Sequence, residues 1–124
     1  MKSNPIVYWI TTALVAFVLL SGGVAYLARV PAVLAGMAKL GYPAYFVTIL
    51  GVWKVLGGIV LLVPSLPRLK EWAYAGTVFD LTGAAASHLS VGDPAIKIAV
   101  PLILTLVTFI SWYGRPRSRR LAAR

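Results

Sequence analysis

The chain has 124 residues, 60% of them hydrophobic and only 12% charged, with a formal net charge of +9. A soluble domain of this size has too little interior to hide so much apolar surface. Together with a mean hydropathy of +0.85, this excludes a soluble globular domain, a disordered chain and a coiled coil. The absence of cysteine excludes disulfides, thiolate metal sites, iron–sulfur clusters and dithiol redox chemistry within the chain.

A helix that crosses the bilayer needs about 20 predominantly apolar residues. Four stretches approach that length: 6–28, 44–63, 72–89 and 95–113. The first follows the basic Lys2 but is long for a signal-peptide core, and Tyr26 spoils the small-x-small site ending at Ala28, so it reads as an uncleaved span. After it, Pro31 suits a first helical turn. Val33, Leu34, Met37 and Leu40 recur at helical spacing and Gly41 can end the run, which predicts a short interfacial helix in the first loop. A plain loop fits the same residues. The third stretch is the least apolar, since it carries Asp80 and His88, but its flanks, 67–71 and 90–94, are rich in loop-forming and charged residues.

These elements predict an all-α protein: one domain over 1–124, a left-handed four-helix integral membrane bundle. Basic residues in short loops set its orientation. One side carries Lys2, Arg68, Lys70, Arg115, Arg117, Arg119, Arg120 and Arg124, and the other carries Arg29, Lys39 and Lys97. Eight against three predicts that both termini are cytoplasmic. A basic run such as 114–120 can bind nucleic acid, but beside a span it fixes topology and meets anionic lipid. No nucleic-acid partner is therefore expected.

Chemistry within the spans falls to their polar residues, each costly in lipid. Lys54 lies about 15 Å from one end of its span and about 13.5 Å from the other. Asp80 lies about 12 Å into the third span. Antiparallel helices thus bring opposite charges to similar depth. Gly51, Lys54 and Gly58 share one helix face, and Gly76, Asp80, Gly83 and Ser87 share another. Small residues let helices approach closely, so these faces are expected to meet, with the charges between them. A structural ion pair and a working site both fit Lys54 with Asp80. Glu71 fits a favourable place in the dipole of a first turn or a functional carboxylate. His88 fits an interfacial hydrogen bond or an outer cavity. Pro101, Thr105, Thr108 and Ser111 form a polar stripe on the fourth span, where hydroxyls commonly bond their own helix backbone.

The runs Leu40-Gly41-Tyr42-Pro43, Leu50-Gly51-Val52-Trp53-Lys54-Val55-Leu56-Gly57, Leu69-Lys70-Glu71-Trp72-Ala73-Tyr74-Ala75-Gly76 and Gly83-Ala84-Ala85-Ala86-Ser87-His88 occur in order. In them the chain resembles the DoxX-like family of small four-span bacterial membrane proteins, from about Tyr8 to Leu106. The resemblance implies a multi-pass protein of the bacterial cytoplasmic (inner) membrane, with Lys54, Glu71, Ser87 and His88 at the family's recurring polar positions. The family takes its name from a subunit of a thiosulfate:quinone oxidoreductase, and other relatives are assigned to oxidative-stress complexes or resemble assembly factors for membrane receptors. It implies an accessory subunit of a quinone-linked redox or assembly complex, with the lipid bilayer, a partner membrane or redox protein and a second copy of the chain as partners. Two alternatives stay open. One is a proton-coupled small-solute transporter working as an oligomer and using Lys54, Asp80 and His88 as a titratable chain. The other is a quinone- or lipid-binding membrane enzyme, with Lys54 or His88 donating to a quinone carbonyl. No self-contained catalytic motif and no metal set is visible. One His and two Met give haem no pair of axial ligands in one cavity. No cofactor is evident from the residues, and the resemblance leaves a bound quinone open.

The orientation is testable in a chain without cysteine. Ser118→Cys is expected to react with a membrane-impermeant thiol reagent only from the cytoplasmic side. Labelling only from outside contradicts the basic-residue count.

Overall fold

Proline sets where most of the helices begin. In the computed structural model, which describes residues 4–121, the elements are α1 (Pro5–Leu27), α2 (Pro31–Lys39), α3 (Ala44–Leu62), α4 (Pro67–Ser90) and α5 (Ala95–Tyr113), then a 3₁₀ turn (Arg117–Arg119). Pro5, Pro31 and Pro67 open their helices, where a missing N–H costs nothing. Pro43 and Pro94 stand just before α3 and α5. Asn4 caps α1, its side-chain oxygen accepting from the amides of Ile6 and Val7 at 3.1 and 3.2 Å. Gly41 (φ +93°) and Gly92 (φ +73°) take the left-handed backbone that turns the chain after α2 and α4. Lys2 and Arg124, counted for orientation, lie outside the described residues.

Observed and expected helices differ mainly at α4, which starts at Pro67 rather than at Trp72 and so takes Arg68, Lys70 and Glu71 into its first turns. The short helix expected in the first loop is present as α2. It docks through Met37, which is buried and accepts from the Tyr26 hydroxyl. All described elements are helical. Three helices, α1, α3 and α5, are long and apolar enough to cross a membrane.

The four long helices close into a ring, α1 between α3 and α5, and α4 between α5 and α3. The α1–α3 contact is the tightest because glycine allows it. A Cβ on Gly23 would stand 2.6 Å from a methyl of Val55 and 3.1 Å from the carbonyl oxygen of Gly51, and one on Gly58 would stand 2.7 Å from Leu20. Here the glycine faces depart from expectation. Gly51 and Gly58 pack against Tyr26, Leu27 and Leu20 of α1, not against α4, while Gly76 and Gly83 on α4 face nothing within 4 Å. The cause is rotational. Lys54 stands three residues after Gly51, so a face aimed at α1 carries the lysine to its edge, from which its long stem reaches α4.

Val15, Leu19, Leu61 and Tyr74 form the apolar core, yet Lys70, Thr12, Thr108 and Ser111 are buried just as completely. Outside, Phe17 and Phe79 are 68% and 73% exposed, with Ile6, Trp53, Ile96 and Leu106 similarly bare. Polar groups inside and aromatic and aliphatic groups outside suit a lipid surrounding, where exposed apolar surface carries no penalty and interior polar groups must be satisfied within the chain.

Candidate functional site

Half-way along α3 and α4, the Lys54 ammonium donates to the Asp80 carboxylate at 2.8 Å. Their side chains are only 14% and 22% exposed. The Tyr26 ring adds its π-face 5.1 Å from the same ammonium. The space beside the pair is walled by all four long helices, through Val18, Lys54, Thr77, Asp80, Leu104 and Thr108, and amounts to about 10 Å³. That is at the lower limit for one water molecule.

At one end of the bundle, two bonds tie α4 to the chain around α2. The Ser87 hydroxyl donates to Gly83 O at 2.8 Å, so its single proton is taken and the Tyr42 hydroxyl donates to Ser87 Oγ at 2.7 Å. Asp93, nearly fully buried, accepts from Lys39 at 2.6 Å through one oxygen and meets His88 Nδ1 at 2.6 Å through the other. Those two bonds hold its carboxyl down at about 2. With Asp93 ionised, Nδ1 carries the shared proton and donates, and in the neutral ring Nε2 is then an acceptor. Sequence reasoning gives Asp93, Lys39 and Tyr42 no role in a site. The signal for Asp93 was the Gly92-Asp93-Pro94 turn: the left-handed Gly92 sends the Asp93 amide back to His88 O at 3.0 Å and brings the carboxylate to the imidazole.

At the other end, Glu71 is not in the first turn of α4, so the helix dipole does not account for it. It accepts from Arg115 at 3.1 Å and from the Trp112 indole N–H at 2.8 Å. The Arg115 guanidinium lies over the Trp112 ring at 4.7 Å. Burial lowers the Arg115 pKa, and Glu71 opposes that shift. The basic tail was expected to meet lipid headgroups, and two of its arginines turn inward instead. Arg119 is buried and donates to Leu61 O at 2.9 Å and Leu62 O at 3.1 Å. Lys70, also fully buried, donates to Val60 O at 2.7 Å and to Val63 O. Helix α3 ends in extended backbone at Val63 without a glycine cap. Its last carbonyls lack intrahelical donors, and two cations at the negative end of its dipole supply them.

Between this end and the central pair, Ser111 bonds Thr12 of α1 at 2.6 Å and Tyr74 of α4 at 2.8 Å. Thr105 and Thr108 bond their own helix, to Pro101 O and Leu104 O. The polar stripe on α5 therefore divides, with its threonines serving their own backbone and its serine joining three helices. The five residues singled out in the sequence do not form one cluster. Lys54 and Asp80 meet at mid-bundle, Ser87 and His88 lie at one end, and Glu71 lies at the other. Among the described residues no group of three His, Cys, Asp or Glu side chains could hold a metal.

The model of the DoxX-like family matches residues 10–111, a range that contains all five of these residues and leaves Arg115 and Arg119 outside. No curated protein and no solved structure matches the chain.

Asp93 gives this geometry a pH signature. Its folded pKa lies below the ordinary 3.8, so its stabilising contribution is present above that value and is lost as pH falls through about 2. The melting temperature in detergent is expected to drop between pH 4 and pH 2, roughly the interval between the two pKa values. Asp93→Asn is expected to melt lower at neutral pH and to show a smaller acid drop. Equal acid slopes in the two proteins contradict the assignment.

Proposed function

The chain belongs to the DoxX-like family, and from that premise we propose that it is an accessory subunit of a membrane redox or assembly complex, crossing the bacterial inner membrane four times with both termini in the cytoplasm. Treating α4 as the fourth span is supported by its 24 residues, about 36 Å of helix. Support also comes from its contacts, with Lys70 bonded at the α3 terminus and Ser87 at Tyr42. Its charges count against hydropathy but are partnered inside the bundle or placed at its ends. The basic-residue count supports the orientation.

One observation carries the accessory reading: the intramembrane charges are bonded to each other around a space of about 10 Å³. A solute path or a substrate site needs room that this space lacks, since small-molecule pockets run to about 300–1,000 Å³. A quinone held by Lys54 does not fit these residues. The space beside Lys54 is too small for its ring. We therefore assign no redox step to this chain; in the proposed complex a partner performs it. What the chain offers a partner is its apolar outer surface.

Extraction of the protein from its native membrane in mild detergent, followed by mass spectrometry of the intact assembly, tests this. A membrane protein partner in stoichiometric amount is expected. Recovery of the chain alone with a stoichiometric quinone, or solute uptake by vesicles containing only this protein, contradicts the proposal.

A further inference from the structure

The Lys54 ammonium has three protons to give, and Asp80 takes one through Oδ2. Tyr26 faces the ammonium with its ring. Among the described residues no second oxygen accepts from Lys54, and the other Asp80 oxygen, Oδ1, accepts from no donor. An ion pair away from bulk water is stable only when its remaining protons and lone pairs are also bonded.

The space of about 10 Å³ beside the pair has the lining to complete those bonds. Thr77 of α4 and Thr108 of α5 line it together with Lys54 and Asp80, and both threonines are buried. Each gives its hydroxyl proton to its own helix, Thr77 to Ala73 O and Thr108 to Leu104 O, both at 2.7 Å. Each therefore turns oxygen lone pairs, and no proton, toward the space. The other walls are apolar, with Val15 and Val18 of α1 among them. One donor, Lys54, thus meets three acceptors, Asp80, Thr77 and Thr108. A metal cation is repelled by the ammonium, and a hydrocarbon group leaves all four polar groups without a bond. A water molecule matches them, its oxygen accepting from Lys54 and its two protons going to Asp80 and a threonine. A buried water needs about 10–15 Å³ and two to four polar partners, and the space offers both.

We propose that this space is a binding site for one water molecule, the third member of the Lys54–Asp80 unit, and that the water ties α5 into the unit through Thr108. Helices α3 and α5 stand diagonally in the ring, with α1 and α4 between them, so a water shared by Lys54 and Thr108 spans the centre of the bundle. The site lies within one chain and does not depend on the accessory-subunit reading.

Solid-state NMR of the full chain in lipid vesicles, with its lysines labelled with ¹⁵N, tests this at low temperature, where ammonium protons exchange slowly with bulk water. The Lys54 signal is identified by its loss in Lys54→Met. Transfer of magnetisation from water protons to Lys54 Nζ is expected in the unaltered chain. Val18→Leu adds apolar volume to a wall of the space and removes no polar group. In that variant the transfer is expected to be lost at Lys54 and kept at Lys39, whose side chain is 59% exposed. Thr108→Val removes one acceptor at nearly constant volume and is expected to weaken the transfer, whereas Thr108→Ser is expected to retain it; this pair decides if Val18→Leu fails to fold. Absence of transfer at Lys54 in the unaltered chain shows a dry pair. Undiminished transfer in Val18→Leu and Thr108→Val shows exchange with bulk water. Either result overturns the proposal.

Discussion

A lysine and an aspartate bonded at 2.8 Å in the middle of a bundle whose outer shell is apolar impose a condition on everything around them. Either charge alone is expensive in a low-dielectric surrounding, and an ion pair there is tolerated only with good geometry and further partners for its remaining protons and lone pairs. The aromatic face of Tyr26 on one side and the narrow, water-sized space on the other meet that condition. The α3–α4 seam holds the pair, and the glycines serve a different contact. At Gly23, Gly51 and Gly58 they bring α1 close to α3, which fixes the direction from which Lys54 reaches across.

The same condition governs both ends. The end of α3 has no glycine to turn on, and its terminal carbonyls are satisfied by Lys70 and Arg119, the latter arriving from a 3₁₀ turn beyond the last span. Glu71 and Arg115 neutralise each other under the Trp112 ring. At the opposite end one buried carboxylate, Asp93, joins the short helix α2 to α4 through Lys39 and His88. The bundle is thus closed by polar clamps at its ends and one ion pair at its centre, and its apolar exterior is left for lipid and partners.

Helix positions were largely legible in the sequence because prolines, glycines and apolar run lengths mark them; α5 runs over 95–113 as expected. The Lys54–Asp80 contact was legible too, since depth along a helix follows from counting residues and opposite charges at equal depth attract. What a single chain does not disclose is rotation. A stripe of glycines announces a close approach without naming the neighbour, so Gly51 and Gly58 were assigned to α4 when they face α1. Nor does a basic tail disclose which arginines fold back. Arg119 is buried only because a turn after Gly114 returns it to the unsatisfied end of α3, a contact between residues far apart in sequence. Asp93 escaped notice because its role depends on the left-handed backbone at Gly92, which places it against His88 five residues earlier.

The central claim is that Lys54 and Asp80 form one stabilising unit, and a double-mutant cycle on the detergent-solubilised protein measures it most directly. Lys54→Met and Asp80→Asn are each predicted to lower unfolding stability by about 3–5 kcal/mol, because each strands a charge in the bundle, and the double variant is predicted to recover much of that loss. If the two losses simply add, the residues are energetically independent, and the account of the bundle as organised around this pair is contradicted.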